Sequence, residues 1–375
     1  MTEFDVLIVG GGPAGSTMAW YLRDSGLRVA IMDKAEFPRN KTCAGWVTPE
    51  VMDELQLNLA DYQQHHVLQA VHGFRISHIG GREVDTRLAD KPVSYGICRS
   101  EFDAYLLNRC GAELILHTKF KSMHYQHDKW WVNDTYAAKL VVGAGGHFCP
   151  VARALGARPG SGERTVVAQE IEFPMTPAQQ AECSVCGDVP ELFFCKDLQG
   201  YGWVVRKGDY LNVGLGREDP NRLAEHVTEF SQGLKKQGKI PLDTPDKFPG
   251  HAYLLYPHAI RELIQDGVLL IGDAAGLAYP QSGEGIRPAV ESAMMAARVV
   301  RSAEGDYSRK SLQAYCEQLT ERFGDRQPAP DLMERLPQSI KAFVAHRLLS
   351  YQWFAQHVVM DRWFLHRQQA PLSFD

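Results

Sequence analysis

Three observations predict an α/β fold built from a Rossmann-like parallel sheet, an inserted antiparallel sheet and C-terminal helices. The chain opens on an apolar run, Asp5-Val-Leu-Ile-Val9, that leads into Gly10-Gly-Gly12-Pro13-Ala14-Gly15 and a helically spaced segment. A second glycine-rich loop, Gly272-Asp273-Ala-Ala-Gly276 through Gly283-Glu284-Gly285, follows the apolar run Val268-Leu-Leu-Ile271 and precedes another helical period. Between these loops the chain takes on the alternating texture of half-buried strands.

The first element is a buried strand over 5–9, because a short unbroken apolar run suits a strand covered on both faces. A helix over 14–25 follows and stops at Gly26, and a strand over 28–32 ends on Asp33. The loop between the first strand and helix matches G-x-G-x-x-G in the βαβ context that gives that pattern meaning. Gly10 permits the tight turn, Gly12 lets backbone approach a pyrophosphate, and Gly15 allows close helix packing, with Pro13 and Ala14 opening the helix. Asp33, followed by Lys34, is placed to take ribose hydroxyls. An acid there disfavours a 2′-phosphate, so the loop fits FAD or NAD better than NADP.

From residue 66 the pattern alternates, as in Gly73-Phe-Arg-Ile-Ser-His-Ile79 before a Gly80-Gly81 turn. Lys139-Leu-Val-Val-Gly-Ala-Gly145-Gly146 reads as a buried strand that rejoins the first sheet. A second β-rich block covers 164–260; its clearest hairpin runs from Gly200 to Lys207, turns at Gly208-Asp209 and returns from Tyr210. Tyr201 and Trp203 flank Gly202, so both rings project from one face of that strand. After 268–271, the positions Ile286, Ala289, Val290, Ala293, Ala297 and Val300 mark a helix with Pro288 in its first turn. The expected division is a discontinuous cofactor domain over 1–65, 95–160 and 262–310, a covering sheet over 66–94 and 161–261, and a helical segment over 311–375.

Strand, glycine loop and helix start together aim unpaired N–H groups and a partial positive charge at an anion, at both ends of the chain's first domain. Bulk properties narrow the partner. A net charge of -5 and a pI near 6.3 give no footprint for nucleic acid. The opening strand leaves no room for a secretion signal, and no run of eighteen apolar residues occurs, so a cytoplasmic protein is expected. The scattered cysteines read as reduced thiols; Cys183 and Cys186 have metal spacing, but with Cys195 they make only three ligands, and no metal is expected. From 331 onward the chain turns helical, aromatic and basic, with Phe343, Trp353, Phe354, Trp363 and Phe364. Such a stripe packs on its own domain or lies on a membrane surface.

The order of G-x-G-x-x-G with Asp33, Arg99-Ser-Glu-Phe-Asp-Ala-Tyr-Leu and Gly272-Asp273-Ala-Ala-Gly resembles the flavin-dependent oxidoreductases of the para-hydroxybenzoate hydroxylase fold. Cys43-Ala44-Gly45, Tyr201-Gly-Trp203 and Pro280-Gln-Ser-Gly283-Glu-Gly285-Ile286 are most similar to the geranylgeranyl reductase family within it. The resemblance spans about residues 4–300 and implies bound FAD. It places Arg99 along the cofactor and Asp273 on its ribityl-pyrophosphate. It also seats the isoalloxazine ring over Gly283-Glu-Gly285, where backbone donors and the helix dipole meet the negative edge of reduced flavin.

The implied reaction is hydride transfer to a carbon–carbon double bond of a hydrophobic, prenyl-like or lipid substrate, with Cys43 near the flavin and Tyr201 and Trp203 lining the pocket, and with Trp46 as the alternative residue to close it. The electron donor is open, with NAD(P)H as the external candidate. Two positions depart from the family pattern: Gly143-Ala-Gly-Gly146 stands where many flavin hydroxylases have Gly-Ala-Asp-Gly, and Trp203 is followed by Val204-Val205 rather than Phe-Pro. Monooxygenation of an aromatic or alkene substrate is the alternative chemistry, because one fold serves both. Lower alternatives are a halogenase, whose tryptophan signature is absent, and a non-catalytic redox-sensing flavoprotein.

Overall fold

The strand Thr2–Val9 lies at the middle of a parallel sheet, between Val29–Met32 on one side and Tyr136–Gly143 on the other. The computed structural model describes residues 2–159, 163, 165–326 and 338–374. Glu113–Ile115 and Val268–Leu270 extend the sheet in parallel at its two sides, and Ile264–Gln265 adds an antiparallel edge. Val6, Leu7 and Ile8 are fully buried, which explains an apolar run without alternation: both faces of the strand are covered. Gly15 is required by packing, since a Cβ there would sit 2.0 Å from the Gly10 carbonyl oxygen.

Four strands of this sheet were not foreseen: Glu113–Ile115, Ile264–Gln265 and a consecutive pair. Met123–Gln126 and Lys129–Val132 meander into Tyr136–Gly143, turning at His127-Asp128 and Asn133-Asp134, all four in left-handed backbone with φ of 51–57°. Asp and Asn tolerate that conformation, so these residues were the available signal.

A second sheet carries seven strands among the described residues, in the order Gly250–Leu254, Thr165–Pro174, Tyr210–Arg217, Gly200–Lys207, Glu191–Phe194, Arg75–His78 and Val84–Asp85. The hairpin at Gly208-Asp209 has the expected register, Lys207 facing Tyr210. Gly202 turns away from the Tyr201–Trp203 face, and a Cβ on it would strike the Phe230 ring at 2.6 Å.

A third, small sheet joins Trp46–Val47, Ser94–Ile97 and Leu68–Val71. It therefore draws strands from both sides of the borders expected at 65/66 and 94/95. The border expected at 310/311 falls inside the helix Arg309–Phe323, whose Leu312, Tyr315 and Leu319 are buried in the core of the parallel sheet. Nothing in composition marks those borders, because the chain crosses between layers in mid-element.

The helix Ile286–Ser302 is buried nearly all round rather than on one stripe. Its Arg287 and Glu291 are fully buried and paired at 2.8 Å, with Arg322 also bonded to Glu291. Burial of that kind is tolerated only when each charge is matched and hydrogen-bonded.

The C-terminal aromatic stretch divides in two, and its first residues, 331–337, lie outside the described residues. Gln338–Leu349 leaves Phe343 71% exposed, and Trp353 just beyond it is 67% exposed. Val359, Met360 and Phe364 instead pack into the inserted sheet's core with Trp46, Phe74 and Trp203. Among the described residues no helix is long and apolar enough to cross a membrane.

Candidate functional site

A cavity of about 690 Å³ lies between the parallel sheet and the inserted sheet. Gly10, Gly12, Pro13 and Ala14 form one end of its wall, with Asp33 and Lys34 beside them, and Gly283, Gly285 and Ile286 form the other. Cys43, Ala44, Gly45, Arg99, Gly145, Asp273, Tyr201 and Trp203 line it between. Of the residues singled out from sequence, Gly15 and Gly272 are off the wall and pack behind it. A Cβ on Gly272, whose φ is +59°, would meet the Ala14 methyl at 3.0 Å.

Two helices begin on this wall, Pro13–Leu22 at Gly12 and Ile286–Ser302 at Gly285; neither start has a side-chain cap among the described residues. Each helix start therefore turns unpartnered N–H groups and the positive end of its dipole toward the cavity. Gly285 is small for a second reason, since a Cβ there would lie 2.8 Å from the Asp273 carboxylate. These features fit a long ligand carrying negative charge at both ends. Asp33 is also structural: its two carboxylate oxygens accept from the N–H groups of Gly11 (2.8 Å) and Ala35 (2.9 Å).

The middle of the cavity is cationic but internally balanced. Arg99 forms a two-pronged pair with buried Asp103 at 2.8 and 2.9 Å, and Arg39 reaches the same carboxylate at 3.2 Å. The Arg99 guanidinium also contacts the Cys43 side chain. Lys41 Nζ lies 2.6 Å from His251 Nε2. Burial lowers Lys41 to about 8, opposed by Asp273, while burial and then Lys41 lower His251 to about 2. His251 is therefore the neutral acceptor and Lys41 the donor.

The loop carrying Cys43 is held from beneath by the inserted sheet. Lys207, fully buried, donates to the carbonyls of Ala44 (3.2 Å) and Ile97 (2.8 Å) and to the Glu172 carboxylate. The Asn212 amide donates to the Cys43 carbonyl at 3.0 Å and is shared with Glu170 and Glu172, both at 3.1 Å. Its oxygen accepts from Trp203 Nε1 at 2.7 Å, so one side chain orients both the indole and the cysteine loop. Burial raises Glu170 to about 7, against the pull of the Cys43 backbone N–H.

At the aromatic end, the Tyr201 and Trp203 rings are 5.9 Å apart and Tyr253 closes over Gly283. The Tyr201 hydroxyl donates to the Ser282 carbonyl, and burial pushes its ionisation well above the ordinary tyrosine range. Beside it both carboxyl oxygens of Glu284 are buried with no hydrogen-bond partner among the described residues. Burial raises Glu284 to about 8, with Arg287 opposing and Glu291 and Glu50 adding to the rise.

That carboxyl makes the FAD-free protein sensitive to pH. In the unfolded chain it ionises near 4.5, whereas in the folded protein it keeps its proton to about 8. The contribution of this carboxyl to stability is fully present below 4.5, is lost progressively between those values and is level above them, a change on the order of 5 kcal/mol. Glu284→Gln should make the decline between pH 5 and 8 shallower in urea titrations, without erasing the share from Glu170. An unchanged slope would show that Glu284 ionises normally.

Arg39, Lys41, Glu170, Lys207, Asn212, His251 and Glu284 belong to the site but were not singled out from sequence. Glu284 stood in plain view between two glycines; Lys207 and Asn212 carry no local signal, since each reads as an ordinary hairpin residue. Cys183 and Cys186 lie elsewhere: the Cys183 thiol meets the Lys239 carbonyl and Cys186 is exposed.

A family model described as FAD binding domain matches residues 3–323. The chain is 26% identical over 329 residues to a digeranylgeranylglycerophospholipid reductase of Methanocaldococcus jannaschii, covering 83% of this chain and 81% of that protein. It is 29% identical over 327 residues to a menaquinone reductase of Mycobacterium tuberculosis, covering 80% and 77%. Among solved structures, a geranylgeranyl bacteriochlorophyll reductase-like protein of Thermoplasma acidophilum superposes with a TM-score of 0.72 at 22% identity, over 100% of this chain and 94% of that one.

Proposed function

The chain belongs to the FAD binding domain family and is an FAD-dependent oxidoreductase, and from that premise we propose that it saturates a carbon–carbon double bond in a prenyl-type or other lipid-derived substrate. The observation that carries this reading is the composition of the cavity's two halves. One half offers a helix start and cations to an anionic cofactor; the other offers the second helix start together with apolar rings and side chains that keep their protons. The relatives named as prenyl-lipid and menaquinone reductases support the same chemistry.

In this reading Gly10, Gly12, Pro13 and Ala14 approach the pyrophosphate, Asp33 and Lys34 the ribose, and Arg99, Gly145 and Asp273 the ribityl chain. Gly283, Gly285 and Ile286 meet the ring, with Cys43, Ala44 and Gly45 along it. Gly15 and Gly272 support from behind. Bound FAD, once reduced by an external donor such as NAD(P)H, supplies a hydride. The protein supplies a dry wall, through Tyr201, Trp203 and Trp46, and a proton. Cys43 Sγ, on the cavity wall, is the donor in this reading, and Asn212 and Lys207 fix the backbone of its loop. Tyr201 Oη and the Glu284 carboxyl hold protons at neutral pH and keep negative charge away from the apolar chain.

The substrate is proposed to arrive from a lipid surface. Ile340, Phe343, Tyr351 and Trp353 are exposed along 338–353, a stretch with Lys341 and Arg347 and no acidic residue. Such a face suits the boundary of an anionic bilayer.

Product mass tests the reaction. With reduced enzyme and a polyprenyl lipid, the product is expected to gain two hydrogens per event, and Cys43→Ala to slow this by about 10²-fold or more. Gain of an oxygen instead would establish the monooxygenase alternative.

A further inference from the structure

The wall behind the aromatic pocket is built by residues beyond the family match, which stops at 323. Phe364 is 1% exposed, and its ring lies 5.3 Å from Tyr201 and 6.0 Å from Trp46, both of which line the cavity. It ends the π-helical segment Ala355–Phe364, closed by a 2.8 Å bond from the Leu365 N–H to the Met360 carbonyl. π-helical turns are rare and frequently lie at functional sites. The segment is tied down at both ends: Gln356 accepts from the Arg87 N–H at 2.9 Å, and the His366 ring stacks on Tyr279 at 3.7 Å.

We propose that Phe364 is a specificity-determining residue that stops the apolar end of the cavity and sets the longest chain the enzyme accepts. The proposal rests on the functional reading above. A cavity of about 690 Å³ is the size of a site for one ligand of moderate size. The Phe364 ring lies directly behind Tyr201 and Trp46, so a chain extending past those two rings meets it. Because the residue lies beyond the matched FAD binding domain, chain length is set here by a part of the molecule separate from the cofactor machinery.

The test uses the full-length, FAD-loaded oxidised protein and reads binding, without turnover. Geraniol, farnesol and geranylgeraniol are titrated against the native protein, Phe364→Val, Phe364→Leu and Phe364→Trp, following the perturbation of flavin absorbance. Phe364→Val should raise the affinity for geranylgeraniol relative to geraniol by about tenfold, and Phe364→Trp should lower that ratio, since small changes in an apolar pocket are worth about 10–200-fold. Phe364→Leu keeps most of the packing and should move the ratio in the same direction by less, which covers the case of a valine variant that does not fold. An identical ratio in native, leucine and tryptophan proteins overturns the assignment of Phe364 alone. If none of the alcohols perturbs the flavin in any protein, the functional reading falls and takes this proposal with it.

Discussion

Gly12→Val should abolish FAD binding and leave the protein folded. Gly12 has φ of -75° and ψ of -173°, a backbone open to any residue, so valine adds no strain there. A Cβ at this position meets only the movable end of Arg39, at 3.4 Å. The branched side chain would instead fill the space in front of the Pro13–Leu22 helix start, where a pyrophosphate must come within hydrogen-bonding distance of backbone. We expect affinity for FAD to fall by at least about 10²-fold, or roughly 3 kcal/mol, with circular dichroism and melting temperature little changed. The contrast with Gly15 makes the test specific: any Cβ at Gly15 collides with the Gly10 carbonyl, so Gly15→Val should lose fold and cofactor together. A Gly12→Val protein purified with full flavin content would remove the first loop from the site.

Lys207→Met should produce a large loss of stability in a protein that still folds. The side chain is fully buried and its ammonium bonds Glu172 and the carbonyls of Ala44 and Ile97. Methionine replaces the stem but leaves the Glu172 carboxylate with Asn212 in place of a cation, and takes this donor from the Ala44 and Ile97 carbonyls. Removing one partner of a buried pair costs about 3–5 kcal/mol. For a chain of this size that is a fall of about 5–10 °C in melting temperature. The neighbourhood is shaped for the ammonium: a Cβ on Gly45 would sit 2.5 Å from Nζ, and one on Gly96 would sit 2.8 Å from Lys207 Cγ. Because the same bonds hold the Cys43-Ala44 backbone, FAD affinity should fall too. Adding Glu172→Gln should recover part of the lost stability, since it removes the stranded charge. Additive losses in the double variant would mean that the two residues do not form the pair described.

Much of this arrangement was legible in the chain because it depends on local chemistry. The run Val6-Leu-Ile8 specifies a strand covered on both faces, the glycines of both loops mark where backbone must approach backbone or ligand, and Tyr201 and Trp203 share a face by the period of a strand. What stayed hidden depends on contacts between residues far apart. Lys207 meets Ala44 across 163 positions and Asn212 meets Cys43 across 169, and neither has a spacing rule to reveal it. Glu284 was overlooked because a carboxylate between two glycines looks like a solvated loop residue, whereas both its carboxyl oxygens are buried. Phe364 shows the same limit in the helical stretch: Trp353 and Phe364 read alike in sequence, yet one is exposed and the other touches the pocket wall.

The same geometry separates cofactor and substrate duties. Helix starts and glycines act through backbone and are indifferent to the substrate; Tyr201, Trp203, Trp46 and Phe364 act through shape and hydrophobic area, in the half of the cavity where related enzymes can diverge.

The reductase reading stands on electrons passing to an alkene in the absence of oxygen. Protein reduced with dithionite under argon, freed of excess reductant and mixed with a polyprenyl lipid should regain the oxidised flavin spectrum at a rate that depends on lipid concentration. If the spectrum stays bleached with every prenyl lipid and returns only on admitting air, the double bond is not the acceptor and the reading is wrong.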